Sequence, residues 1–317
     1  MELISMIGLA FVLDLLIGDP YSWPHPVKIM GRAIAAYVKK FDRTTRSPRQ
    51  LFWSGVGLWL LIVGGTAVIG GAIMGLTQHW FWLHYALGVY LCYTTLSVKG
   101  LAHEGRKIQQ SLQKQQLKQA RQQVGMIVGR DTQQLSAEGV CKATIETIAE
   151  NTSDGVIAPL FYLFIGGPVL GLIYKAVNTL DSMVGYRNQK YRDIGRISAQ
   201  LDDVFNWLPA RLTWLFLLAA SWLLRLNVRG AWQIGRRDRL QHLSPNSALS
   251  ESVVAGALDL RLGGPHDYFG ERVDKPFIGR VDARAAVAAD IGTTNQLLYV
   301  SAILGLLIFA GCRWLIF

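Results

Sequence analysis

Glu146 and Glu150 stand four residues apart in a run of helix-forming residues, so their carboxylates share one helix face, with Asp154 about a turn further on. Like charges at that spacing destabilise a helix. A cation removes the penalty, and Mg²⁺ is commonly held by one or two carboxylates together with substrate phosphates. The competing account is a plain surface pair between Glu146 and Lys142, four residues before it. A second polar cluster follows at Asn178 and Asp181, then Gly185-Tyr186-Arg187, where a planar, permanently charged guanidinium suits phosphate or carboxylate. Asp202-Asp203 precede Arg211. Acidic clusters thus alternate with Lys175, Arg187 and Arg211 beside apolar segments, a pattern that reads as a metal-phosphate site. Glu146, Glu150, Asp154 and Asp181 are the expected metal ligands, and Glu150, Asp154 and Asp181 the expected catalytic groups. Asn151, Lys175, Asn178, Tyr186, Arg187, Arg211, Tyr268 and Lys275 are the expected contacts to substrate and its phosphate.

Two other stretches leave alternatives open. In Gly18-Asp19-Pro20 followed by Trp23-Pro24-His25-Pro26, His25 is either a hydrogen-bonded structural group or an acid/base. Gly263-Gly264-Pro265 is either a tight structural turn or a place where backbone approaches a ligand closely. No Walker A loop, Rossmann glycine fingerprint, H-E-x-x-H or G-x-S-x-G occurs, so any nucleotide is held by a nonstandard site.

The elements that must position these groups are set by an apolar composition. Of 317 residues, 51% are hydrophobic and only 17% charged, against about 25% charged in an average soluble domain. Apolar segments at about 3–17, 51–75, 80–98, 155–174, 208–226 and 291–312 alternate with polar motif loops at 18–50, 99–154, 175–207 and 227–290. Crossing a bilayer takes about 20 residues. The expectation is an all-α, polytopic integral membrane protein, one helical domain over 1–317 with cytoplasmic elaborations. A net charge of +10 is open to nucleic acid, anionic lipid or a polyanionic substrate. The cations crowd into 18–50, as the cytoplasmic side of a membrane protein requires, which leaves lipid as the partner and excludes nucleic acid. Cys92, Cys141 and Cys312 are too dispersed for a zinc site or disulfide framework. Glu104–Val124 reads as an amphipathic, solvated helix.

The segment 155–174 poses a geometric problem. As one straight helix it separates Glu150 and Asp154 from Asn178 and Asp181 by about 30 Å. Gly166-Gly167-Pro168 lies at its centre, where proline and glycine break helices, so a broken helix or helical hairpin is expected there.

The stretches DLLIGDPYSWPHPVKIMGR (14–32), ETIAENTSDGVIAPLFY (146–162), YKAVNTLDSMVGY (174–186), LDDVFNWLPARL (201–212), SPN (244–246) and LGGPHDYFGERVDKPFIG (262–279) closely resemble the adenosylcobinamide-phosphate synthase family. Ser247 departs from the small residue common at that place. The resemblance implies a multi-pass enzyme of the bacterial inner membrane, acting in cobalamin biosynthesis. It implies an ATP-dependent acid-amine ligase that joins 1-aminopropan-2-yl phosphate, or a related amino-alcohol phosphate, to a propionate carboxyl of the corrinoid adenosylcobyric acid, with Mg²⁺ as cofactor. Association with other membrane-bound enzymes of cobalamin assembly is a further implication. The alternative is a membrane Mg²⁺-dependent phosphotransferase or prenyltransferase, although those carry paired D-x-x-x-D motifs where this chain has E-x-x-x-E and N-x-x-D.

Overall fold

The computed structural model describes residues 1–20, 23–41, 46–186, 188–268 and 270–316. In chain order the helices are α1 (Glu2–Ile17), α2 (Pro26–Val38), α3 (Pro48–Trp59), α4 (Gly65–Thr77), α5 (Phe81–Tyr93), α6 (Val98–Gln113), α7 (Leu117–Val124), α8 (Ala137–Thr152), α9 (Ala158–Val184), α10 (Arg196–Phe205), α11 (Trp207–Leu223), α12 (Val228–Arg237), α13 (Ser247–Leu258) and α14 (Ala288–Ile316). Among the described residues, three helical stretches, Pro48–Thr77, Ala137–Val184 and Ala288–Ile316, are long and apolar enough to cross a membrane. This is a helical membrane protein, as its composition requires. The chain divides into two compact units: Met1–Ser97, Ala158–Asn206 and Ile308–Phe317 form the first, Val98–Ile157 and Trp207–Leu307 the second.

In the first unit, α3 starts with a reciprocal cap. The Ser47 hydroxyl accepts from the Gln50 N–H and the Gln50 side chain accepts from the Ser47 N–H, at 3.3 and 2.9 Å, satisfying donors that the helix start would otherwise orphan. A π-helical turn at Leu60–Gly64 joins α3 to α4, so the 51–75 segment becomes one rod. The uncharged stretch 80–98 yields a shorter helix: α5 closes at Tyr93, and the Thr94 and Thr95 hydroxyls donate to the Leu91 and Cys92 carbonyls. Met30 and Ile34 of α2 pack with Leu58, Ile62 and Val63 against Val177, Leu180 and Val184 of α9.

The expected break in 155–174 is present. Gly166 (φ −132°, ψ 20°) and Gly167 (φ 70°, ψ −163°) leave helical geometry just before Pro168. The Gly167 conformation is one that side chains oppose, and Pro168 has no N–H to offer the preceding turn. Arg313, near the end of α14, donates to the Phe164 carbonyl at 2.6 Å, satisfying an acceptor next to the break. Beyond it α9 runs on to Val184, so Lys175, Asn178 and Asp181 stand on a helix and not in a loop.

In the second unit the amphipathic stretch 104–124 is two helices, because Gln115 turns left-handed (φ 59°) between α6 and α7. Its apolar side is not merely solvated: Ile108 and Val124 are fully buried. The stretch 227–290, expected as a polar loop, is a folded layer. It holds α12, α13 and two small antiparallel pairings, β1 (Leu262–Gly263) with β4 (Phe277–Ile278) and β2 (His266–Tyr268) with β3 (Glu271–Val273). Helices α12 and α13 approach through two glycines; a Cβ on Gly256 would lie 2.2 Å from the Gly230 carbonyl oxygen. Every residue of α13 is buried.

Candidate active site

The second unit encloses a cavity of about 130 Å³. Its acidic wall comes from two helices. Glu146, Thr147, Glu150 and Asn151 project from α8, whose start is fixed by the Ser136 hydroxyl accepting from the Gly139 N–H. Glu251 projects from α13. The facing wall is built from the irregular segments, with Arg130 before α8, His242 before α13, and His266, Tyr268 and Lys275 from the strand-turn layer. The i,i+4 spacing of Glu146 and Glu150 therefore does put both carboxylates at one site.

Glu146 is neutralised inside the protein. Arg130 donates to its Oε2, and the Gly263 N–H donates to its Oε1 at 2.8 Å. Lys142 pairs instead with Glu138 at 2.6 Å, so the surface-pair account of Glu146 does not hold. Arg130 also donates to His266 Nε2. Burial, and then this guanidinium, push the imidazole down to about 4, so His266 accepts as a neutral ring. Glu150 accepts from the Ser247 hydroxyl at 2.8 Å. Lys275 donates to the Tyr268 hydroxyl at 2.7 Å and lies 3.4 Å from His242 Nε2. Glu251 is 4% exposed. Burial first, then the neighbouring charges of Glu146 and Glu150, raise its carboxyl well above the usual range. Gly263 and Gly264 (φ 67° and 89°) form a tight turn. The same turn sends a backbone N–H to Glu146, which is the structural reading of the Gly-Gly-Pro stretch.

Of the residues singled out from sequence, Glu146, Glu150, Asn151, Tyr268 and Lys275 line this cavity. Asp154 lies beyond that lining, half-buried in the π-helical turn Ser153–Ile157. Arg211 stacks on Trp207, 4.1 Å from its ring centre, and donates to the Trp207 carbonyl. Lys175, Asn178 and Asp181 belong to the first unit, half-buried at i, i+3 and i+6 on α9. Gly185 closes onto Asp181 there, donating its N–H to the Asp181 carbonyl at 2.7 Å. Tyr186 sits 6.2 Å from Tyr191, ring centre to ring centre, and Arg187 lies outside the described residues. His25 takes its structural role: Nδ1 accepts from the Val27 N–H at the start of α2, and Asp19 stands 3.7 Å from Nε2.

Glu146, Glu150 and Asp154 belong to the second unit and Asp181 to the first. Among the described residues no group of three or more His, Cys, Asp or Glu side chains comes together to hold a metal ion. At Glu146 one carboxylate oxygen accepts from Arg130 and the other from the Gly263 N–H. The sequence reading missed Arg130, His242, Ser247, Glu251 and His266. Glu251 had a signal: it is the lone charge in the apolar run SALSESVVAGAL.

The family model described as CobD/CbiB protein matches residues 7–298. The chain belongs to this family. Cobalamin biosynthesis protein CobD of Listeria monocytogenes serotype 4b (strain F2365) is 54% identical over 309 residues, 97% of this chain and 98% of the relative. Cobalamin biosynthesis protein CobD of Streptococcus sanguinis (strain SK36) is 54% identical over 305 residues, covering 96% and 95%. Cobalamin biosynthesis protein CbiB of Salmonella typhimurium (strain LT2) is 47% identical over 307 residues, 96% of each chain. No solved structure matches the chain. The family match spans α8, α13 and the strand-turn layer, the elements that build the cavity.

Proposed function

We propose that this chain is an enzyme of cobalamin biosynthesis in the bacterial inner membrane, an adenosylcobinamide-phosphate synthase. It joins 1-aminopropan-2-yl phosphate, or a close amino-alcohol phosphate, to a propionate carboxyl of adenosylcobyric acid at the expense of ATP. The supporting observation is convergence: carboxylates from α8 and α13 meet Arg130 and Lys275 in one small cavity, and the relatives are named for cobalamin biosynthesis.

A carboxylate resists attack by an amine at neutral pH. In the proposed reaction the propionate oxygen attacks the γ-phosphorus of ATP, and ADP leaves. The amine nitrogen then attacks the acyl carbon, phosphate departs with the bonding pair, and the nitrogen gives up its proton. Charge neutralisation and positioning supply most of the catalysis in such transfers. Lys275, oriented by Tyr268 and His242, is the cation for the phosphate of the amino-alcohol phosphate. Glu150, one oxygen held by Ser247, is the carboxylate placed to receive the amine's proton. Arg130 balances the charge of Glu146, and Mg²⁺ is proposed to enter as part of the substrate MgATP. The polar face of α9, with Lys175, Asn178 and Asp181, is proposed as a second set of substrate contacts, and association with other membrane-bound cobalamin-assembly enzymes as a partner relation.

The test is direct. Purified protein incubated with adenosylcobyric acid, MgATP and 1-aminopropan-2-yl phosphate should yield the amide, with one ADP and one phosphate per product, by mass spectrometry and coupled nucleotide assay. ATP cleavage without amide formation, or no nucleotide requirement, overturns the reading.

A further inference from the structure

The cavity of the second unit is too small for most of what the proposed reaction consumes. A cavity of about 150 Å³ takes a six-carbon ring, so about 130 Å³ takes a molecule of similar size and excludes a whole nucleotide or a corrin ring. Its charges are also segregated. Glu150 and Glu251 come from the helical wall, while Lys275, His242 and Tyr268 come from the irregular wall. Glu146 takes no part in this asymmetry, being bound to Arg130 and the Gly263 N–H.

Glu251 is the decisive group. Its side chain is buried and lines the cavity with Glu146 and Glu150, whose charges act on it. Carboxylates sharing a site repel one another when ionised, and a cationic donor arriving among them relieves that repulsion. The chemistry that fits is a small cationic donor at the carboxylate end and an anion at the lysine end.

We propose that this cavity is the binding site for the amino-alcohol phosphate, its ammonium held by Glu251 and Glu150 and its phosphate by Lys275, with His242 and Tyr268 beside it. The assignment rests on the function proposed above, and it divides the substrates: the small zwitterion enters this cavity whole, whereas nucleotide and corrinoid present only their reacting ends to it. It also places the amine nitrogen beside Glu150, the carboxylate that takes its proton.

The test separates this site from the activity as a whole. Calorimetric titration of the full-length protein in detergent, with no nucleotide or corrinoid present, uses 1-aminopropan-2-yl phosphate, ethanolamine phosphate and isopropyl phosphate as probes. The two amines should bind with one site per chain. Isopropyl phosphate, which lacks the ammonium, should bind at least about tenfold more weakly, as expected for loss of a charge-assisted hydrogen bond. Glu251→Gln keeps the shape of the carboxyl, and should raise the KM for the amine while leaving those for ATP and corrinoid unchanged. Lys275→Met should weaken isopropyl phosphate as well as the amines. Equal binding of amine and isopropyl phosphate by the wild type, or a Glu251→Gln effect confined to ATP or corrinoid, overturns the assignment even if amide synthesis is normal. Loss of the synthase reading instead appears as amine binding with no amide product from the wild type.

Discussion

Replacing Arg130 with methionine removes the counter-charge of Glu146 while keeping most of the side-chain volume. The two residues are 9% and 8% exposed, so the pair falls in the buried class and not among surface pairs of negligible effect. Removing one member of a buried pair costs about 3–5 kcal/mol, because the remaining charge stays desolvated. Here Glu146 keeps only the Gly263 N–H, and His266 loses the donor to its Nε2. At about 2–4 °C per kcal/mol for a domain of 150–250 residues, Arg130→Met should lower the Tm of the detergent-solubilised protein by about 6–20 °C, read by tryptophan fluorescence. The double variant Arg130→Met/Glu146→Leu should recover most of this, since a hydrophobic replacement of a whole buried pair is often neutral or stabilising. A single variant within about 2 °C of wild type, less than 1 kcal/mol on that scale, refutes the reasoning. So does a double variant no better than Arg130→Met.

Glu150→Ala should abolish amide synthesis while the protein still inserts into the membrane; turnover within about threefold of wild type, under 1 kcal/mol of barrier, removes Glu150 from the mechanism. His266 sits near 4 when folded against an ordinary 6.5, so the unfolded chain binds more protons in that window. Stability should therefore rise with pH between about 4 and 6.5 and be lost as pH falls through it, a slope that His266→Gln should flatten in denaturant titrations at several pH values. A Cβ at Gly167 meets Leu3 at ordinary van der Waals distance, 3.6 Å, so the cost of Gly167→Ala should be the backbone strain alone, about 1–3 kcal/mol, visible as a lower Tm; an unchanged Tm would mean that the break relaxes without penalty.

What the sequence made legible followed from periodicity and breakers. Uncharged runs marked α1, the α3–α4 rod and α14, and Gly166-Gly167-Pro168 marked the discontinuity in α9, because each signal is local. The Glu146–Glu150 spacing placed both carboxylates on one cavity for the same reason. Arg130 and Glu251 escaped because their meaning is set by distant chain. Nothing around Gly129-Arg130-Asp131 says that its guanidinium reaches Glu146, and a carboxylate among Ser, Val and Ala resembles a helix surface until α13 is seen buried on all sides. Among the four carboxylates assigned to a metal, Glu146 has a cation brought in by folding, which counting charges along the chain overlooked.

The second unit is assembled from two separated stretches, Val98–Ile157 and Trp207–Leu307, and this sets an order of events on the ribosome. Glu146 emerges 16 residues after Arg130 but 117 residues before Gly263. At about 5–20 residues per second, the acid waits about 6–23 s for its backbone donor. During that interval α8 is already made and carries a carboxylate next to a long apolar helix. Arg130 precedes Glu146 by about 1–3 s at that rate, so the guanidinium that balances the finished cavity is present to mask the charge as α8 emerges, before the rest of the cavity arrives.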